Sequence, residues 1–164
     1  MAFNVNSFKS NLNKGVARAA HYELDIGDSN ILFRALAVTA PGRSVATTPT
    51  NEFGPVREVV HSPIYTPISA TIILSPDHQE RKVLTEWQDK AIGINKGFYV
   101  GYYDEYIDQK VVKIKQYEET GSLKKTITLR EAYPRTIGEI SYSYTATEYA
   151  TFNVTFQYRF YTEG

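Results

Sequence analysis

The sequence predicts a mainly β fold, an antiparallel β-barrel or sandwich of about eight strands, flanked by one α-helix over residues 75–92 and a short N-terminal helix. Three observations carry this. The chain holds 13 Tyr and 8 Phe against one Met and one Trp, a bias toward side chains that suit a pleated surface. Several segments alternate apolar and polar residues with the period of two that a strand imposes. Only one long stretch joins a helix-start signal to apolar residues at helical spacing. At 164 residues the chain fits a single domain, 1–164, long enough to bury roughly 70% of its unfolded surface.

The elements follow in order. Ser7 as a cap and Phe8 with Leu12 at i and i+4 suggest a short helix over Asn6–Lys14. His21–Ile26 alternates, with Tyr22, Leu24 and Ile26 on one side. Gly27-Asp28-Ser29-Asn30 supplies a turn, and Ile31–Val38 completes a hairpin. From Thr39 to Pro55 the pattern stops, because Pro41, Gly42, Pro49, Gly54 and Pro55 interrupt a Thr- and Ser-rich run; this reads as a long loop or arm. Val56–Val60 and Ile68–Leu74 are further strands, and Pro63 and Pro67 rule out a continuous central strand between them.

Ser75-Pro76-Asp77 opens the main helix with a capping hydroxyl, a proline at the first helical position and an acid at the positive end of the helix dipole. Val83, Leu84, Trp87 and Ala91 share one face, and Gly93 is placed to end the helix in a left-handed cap. Ile94–Lys110 is irregular and rich in tyrosine. Strands then run over Val111–Tyr117, Leu123–Tyr133, Gly138–Thr147 and Thr151–Tyr161, the last with Phe152, Val154, Phe156, Tyr158 and Phe160 on one face.

Eighteen basic and eighteen acidic residues leave zero formal charge, which disfavours tight phosphate binding and leaves self-association electrostatically unopposed. There is no cysteine, so neither disulfides nor thiolate metal sites brace the fold, and cytoplasmic synthesis is the simplest reading. No stretch has a signal-peptide core or a membrane-spanning length, so no membrane partner is expected.

Chemistry is sparse. His21, His61 and His78 are the only histidines, and none stands in a nucleophile motif. Gly93, Gly97 and Gly101 lack the strand-to-helix setting of a dinucleotide fingerprint. Asp104, Glu105 and Asp108 lack the spacing of a calcium loop. The expectation is a non-enzyme with no catalytic residue, metal or cofactor.

The residues opposite the apolar faces are more informative. Ser141, Ser143 and Thr145, then Asn153, Thr155 and Gln157, are short, neutral and polar, where an ordinary exposed sheet would carry guarding Lys and Glu. They are candidates for a face covered by a neighbour or lining a channel, against the alternative of an ordinary Thr-rich sheet face. Pro41, Gly42, Arg43, Ser44, Pro49, Asn51 and Phe53 of the arm, with Tyr99, Tyr102 and Tyr103, are candidate subunit contacts, since aromatic, charge-poor segments favour interface centres. The tyrosines could equally form a satellite cluster on the domain's own core.

Four stretches together resemble the tail tube proteins of contractile-tailed bacteriophages, whose fold is shared by the tubes of type VI secretion and other contractile injection systems. They are the N-terminal helix running into His21–Ile26; Phe33-Arg34-Ala35-Leu36 breaking into Ala40-Pro41-Gly42; Leu84-Thr85-Glu86-Trp87-Gln88; and Ala132-Tyr133-Pro134-Arg135-Thr136-Ile137-Gly138-Glu139-Ile140. The resemblance implies a small antiparallel barrel or sandwich, six copies per ring, and rings stacked into a hollow tube that conducts the genome during ejection. It also implies tail sheath and baseplate partners, DNA that passes without specific binding, and a place in the virion tail. Two other readings fit the residues. One is an inner-tube or tube-initiating component of a contractile injection system; the other is a monomeric β-barrel binding a hydrophobic or carbohydrate ligand.

Overall fold

A computed structural model describes residues 19–27, 34–51, 54–93, 97, 99–107, 110–145 and 147–164. The expected helix over Asn6–Lys14, the Asp28–Asn30 turn, the start of the Ile31–Val38 strand including Phe33, and also Phe53 and Asp108, lie outside them. Twelve strands and two helices occur among the described residues: β1 Tyr22–Asp25, β2 Ala35–Val38, β3 Arg43–Thr50, β4 Arg57–Tyr65, β5 Ile68–Ile73, α1 Gln79–Ala91, β6 Ile92–Gly93, β7 Tyr99–Val100, α2 Tyr103–Tyr106, β8 Lys113–Tyr117, β9 Leu123–Arg130, β10 Tyr133–Ile137, β11 Thr151–Gln157 and β12 Phe160–Glu163.

Two antiparallel four-stranded sheets, in the orders β1-β8-β9-β12 and β10-β11-β5-β2, enclose the core. The alternation seen in the sequence does this. Ile68, Ala70 and Ile72 of β5 and Phe152, Val154 and Phe156 of β11 point inward from one sheet, and Leu24, Ile114 and Leu129 from the other. Helix α1 lies along the outer edge of β10 and adds Leu84 and Trp87, with the Trp87 ring 6.2 Å from that of Phe156. Two of its polar side chains close that edge: Gln88 Nε2 donates to Arg135 O at 3.1 Å and an Arg81 guanidinium nitrogen to Gly138 O at 3.0 Å. Carbonyls that a foreign strand would otherwise capture are thereby occupied.

The chain passes between the sheets at two neighbouring corners, which divide two strands expected to be continuous. Leu123–Tyr133 breaks at Glu131, whose φ of 52° is left-handed, and β9 gives way to β10 in the other sheet. Thr151–Tyr161 breaks after Gln157, so Phe160 leaves the face it was expected to share with Phe156 and is exposed in β12. Arg159 ties the corners together, with its guanidinium 2.8 Å from the Glu131 carboxylate and its N–H donating to Arg130 O at 3.1 Å.

The Gly138–Thr147 strand does not form; residues 138–145 and 147–150 are irregular. β10 runs antiparallel to β11, and Gly138 N–H meets Asn153 O at 2.6 Å. β11 begins at Thr151, so little partner strand lies beyond that point and the chain turns away. The helix also starts later than expected. Ser75 is not its cap: Pro76-Asp77 form a turn, His78 (φ 53°) occupies the cap position, and the Ser75 N–H and hydroxyl both donate to Glu80 Oε2 at 3.0 and 2.8 Å. Gly93 does not cap the far end in a left-handed conformation either. Ile92 is already extended (φ −134°), and Ile92–Gly93 pair with Tyr99–Val100.

Glu80 is buried yet ionised. Burial pushes its carboxyl up, but the Ser75 donors, a backbone N–H and the Arg34 guanidinium 3.1 Å away outweigh it and hold the pKa below the usual value. Asp25 is likewise held low against its burial by Lys115 Nζ at 2.9 Å and the Gly27 N–H at 2.8 Å. A folded-state pKa depressed below the unfolded one contributes stability that is fully present above the unfolded value, about 4, and is lost as pH falls through the folded value. The melting temperature is therefore expected to hold from neutrality to about pH 5 and to fall below about pH 4, with a smaller acid-induced fall in Glu80→Gln; calorimetry across pH checks this.

Candidate self-assembly surfaces

The arm is not a loop. Residues 43–50 and 57–65 form an antiparallel ribbon, with Arg43 opposite Tyr65 and Thr50 opposite Arg57, and a bulge between Ala46 and Thr47. Pro49 and Pro63 sit inside its strands, so β4 runs past the expected strand end at Val60, yet neither strand is a central one. A proline cannot donate to a ladder, but in a two-stranded ribbon each strand has an open side where no donor is needed. Eight residues of β3 at about 3.3 Å each give a reach of roughly 26 Å.

This ribbon buries almost nothing. Val45, Val59, Val60 and Ile64 are each about half exposed (48%, 52%, 58% and 47%). By strand alternation Val45 and Val60 share one face, and Val59 and Ile64 the other. A two-stranded hairpin is at best marginal in water, and this one carries exposed aliphatic side chains on both faces. Of the expected arm contacts, Arg43, Ser44 and Pro49 lie on β3, Asn51 just beyond it, and Pro41 and Gly42 at its root.

The tyrosine segment divides between its two readings. Tyr103, Tyr106 and Tyr133 stack edge to face at 5.5 and 5.2 Å, and Trp87 Nε1 donates to Tyr106 O at 2.6 Å, which fastens the segment to the domain. The Tyr103 hydroxyl donates to Glu131 at 3.1 Å. Tyr99 and Tyr102 face outward beside exposed Ile92 and Val100 and form an apolar patch. Gly101 lets the segment approach α1 closely, since a Cβ there would collide with Lys90 O. Gly101→Ala is expected to cost about 1–3 kcal/mol by displacing the patch, measurable by urea titration.

The neutral polar residues fall in two places. Asn153, Thr155 and Gln157 lie on the outer side of β11, while Ser141, Ser143 and Thr145 sit on the exposed irregular segment and belong to no strand. Missing from the expected set are Ser69, Thr71 and Thr39. The Thr71 hydroxyl donates to Asn153 Oδ1 at 2.7 Å, and the Thr39 and Ser69 hydroxyls share a bond of 3.1 Å, so uncharged polar groups run across β11, β5 and the end of β2. Ser69 and Thr71 alternate visibly in the sequence; their place beside β11 depends on strand order, which no local pattern encodes.

Two small antiparallel sheets around one core, a ribbon whose aliphatic side chains are half exposed and a sheet face of uncharged polar groups define, among the described residues, a β-rich assembly subunit. The chain belongs to the phage tail tube protein family, which it matches over residues 1–164, and is a structural subunit of a tail tube. Its fold is similar to that of a chain in the PVC extracellular contractile injection system sheath–tube complex, at 14% identity, 99% coverage of both chains and a TM-score of 0.71. A chain of the anti-feeding prophage tube-terminating cap gives 13%, 91% of both chains and 0.69. Hcp1 from Flavobacterium johnsoniae gives 12%, 88% of this chain and 94% of that chain, and 0.56. No curated relative matches.

Proposed function

We propose that six copies of this chain close into a ring, that rings stack through the β3–β4 arm, and that the resulting tube conducts a genome at ejection. The observation that carries this reading is the arm, a ribbon of roughly 26 Å with aliphatic side chains exposed on both faces. A neighbouring copy supplies cover for these side chains. The hydroxyl and amide face over Thr39, Ser69, Thr71, Asn153, Thr155 and Gln157 suits the lumen, because groups without positive charge release no counterions on meeting DNA and so do not hold it.

The chain performs no catalysis in this role. Sheath and baseplate proteins are its partners outside and below the tube, its place is the virion tail, and it is made in the host cytoplasm. A second reading, the tube of a contractile injection system, is favoured by the fold shared over 99% of the PVC chain and differs only in what fills the lumen. Native mass spectrometry of concentrated protein is expected to show a species of about 112 kDa, six times the 18.6 kDa subunit. A monomer at every concentration and salt would refute ring formation.

A further inference from the structure

We propose that Tyr158 is a positioning residue that aims the arm. It lies at the corner between β11 and β12 and is buried, so phenylalanine would fill the same space; a buried hydroxyl is tolerated only when it is bonded. Its partner is informative. The hydroxyl donates at 2.8 Å to Thr66 O, in the short link between β4 of the arm and β5 of the core. The ring lies 6.1 Å from Tyr65, the last residue of β4, and 6.4 Å from Tyr161 of β12, while Tyr65 meets Tyr161 edge-on at 5.7 Å.

The other leg of the arm is fixed at the same point. Thr66 N–H donates to Gly42 O at 3.4 Å, and a Cβ on Gly42 would stand 2.9 Å from Thr66 Oγ1. Both legs therefore converge on Thr66, and Thr66 is held by Tyr158. Burial beside Tyr161 and Tyr65 pushes the Tyr158 phenol up to about 12, so the hydroxyl stays a donor at any physiological pH. A tilt of about 10° at this root would move the arm's tip by roughly 4–5 Å, given its reach, a displacement as large as the separation within which side chains are in contact. The neighbouring Arg159–Glu131 pair joins the two corners of the body and does not touch the arm.

The inference rests on the arm being an assembly contact, and the test separates the two. Because the chain has no cysteine, spin labels go only where they are placed. One pair at Thr50→Cys and Glu86→Cys spans arm and body, and a second at Glu86→Cys and Glu163→Cys lies within the body; distances are measured on unassembled full-length protein. Tyr158→Phe is expected to widen the arm–body distribution about twofold and leave the body pair unchanged. Tyr161→Phe, whose hydroxyl makes no bond among the described residues, should alter neither. An unchanged arm distribution, or equal widening of both pairs, would overturn the positioning role. The concentration at which tubes appear is expected to rise about tenfold in Tyr158→Phe. A widened arm with unaltered assembly upholds the positioning role and counts instead against the arm as a contact.

Discussion

Cutting the arm back to Arg43–Ala46 and Ser62–Tyr65, joined by Asn-Gly, is expected to abolish tube formation while the two-sheet core stays folded. Ala46 faces Ser62 in the ladder, so a two-residue turn closes the shortened ribbon without strain. The described residues among those deleted are exposed and none belongs to the core, so the melting temperature should move by no more than a few degrees. Assembly is different. Val59 and Val60 go, and covering each exposed aliphatic side chain is worth on the order of 1 kcal/mol, with the ribbon's backbone edges lost besides. A loss of about 3 kcal/mol per contact raises the concentration needed for tubes at least ~100-fold. Sedimentation of the truncated and full-length proteins checks this, and full-length tubes at unchanged concentration would show that stacking does not use the arm.

The second large effect is on the fold. Phe156→Ala is expected to destabilise the subunit by about 3–5 kcal/mol, the range for removing a fully buried aromatic side chain. Phe156 is fully buried and stands where β11, the Trp87 face of α1 and the Pro134 end of β10 meet. A domain of this size has only about 5–15 kcal/mol in total, so the variant loses a large share of its stability and melts well below the parent. Because α1 closes the β10 edge only while it is docked, the same change should also raise aggregation. Calorimetry and light scattering on heating give both readings.

The sequence was most legible where structure is local and periodic. Residues 68–74 and 151–157 showed their inward faces directly, because a strand between two neighbours must alternate when one side is core. Trp87 and Leu84 were recognisable on α1 for the analogous reason. What failed was punctuation. The corners at Glu131 and Tyr158–Arg159 carry no glycine or proline, so Leu123–Tyr133 and Thr151–Tyr161 look unbroken although each serves two sheets. Gly138–Thr147 alternates as well as any strand, but alternation cannot reveal that β11 is too short to pair with it.

The arm shows the opposite error. Pro49, Pro63 and scattered glycines disguise a ribbon as a loop, since proline is forbidden only where a neighbour needs its N–H. The segment was conspicuous even so, because a stretch from Thr39 to Pro55 without a local pattern is long for a connection in a compact domain. Of the neutral face, Asn153, Thr155 and Gln157 could be read along one strand, whereas Ser69, Thr71 and Thr39 join them through β5 and β2, a matter of topology.

All of these surfaces make one claim, that the subunit is completed by copies of itself. Cryo-electron microscopy of the assembled protein tests it most directly. Stacked six-membered rings are expected, in which each β3–β4 arm crosses to the adjacent ring and the face bearing Thr71 and Asn153 lines the lumen. Tubes whose arms project freely into solvent, with charged side chains lining the bore, would contradict it.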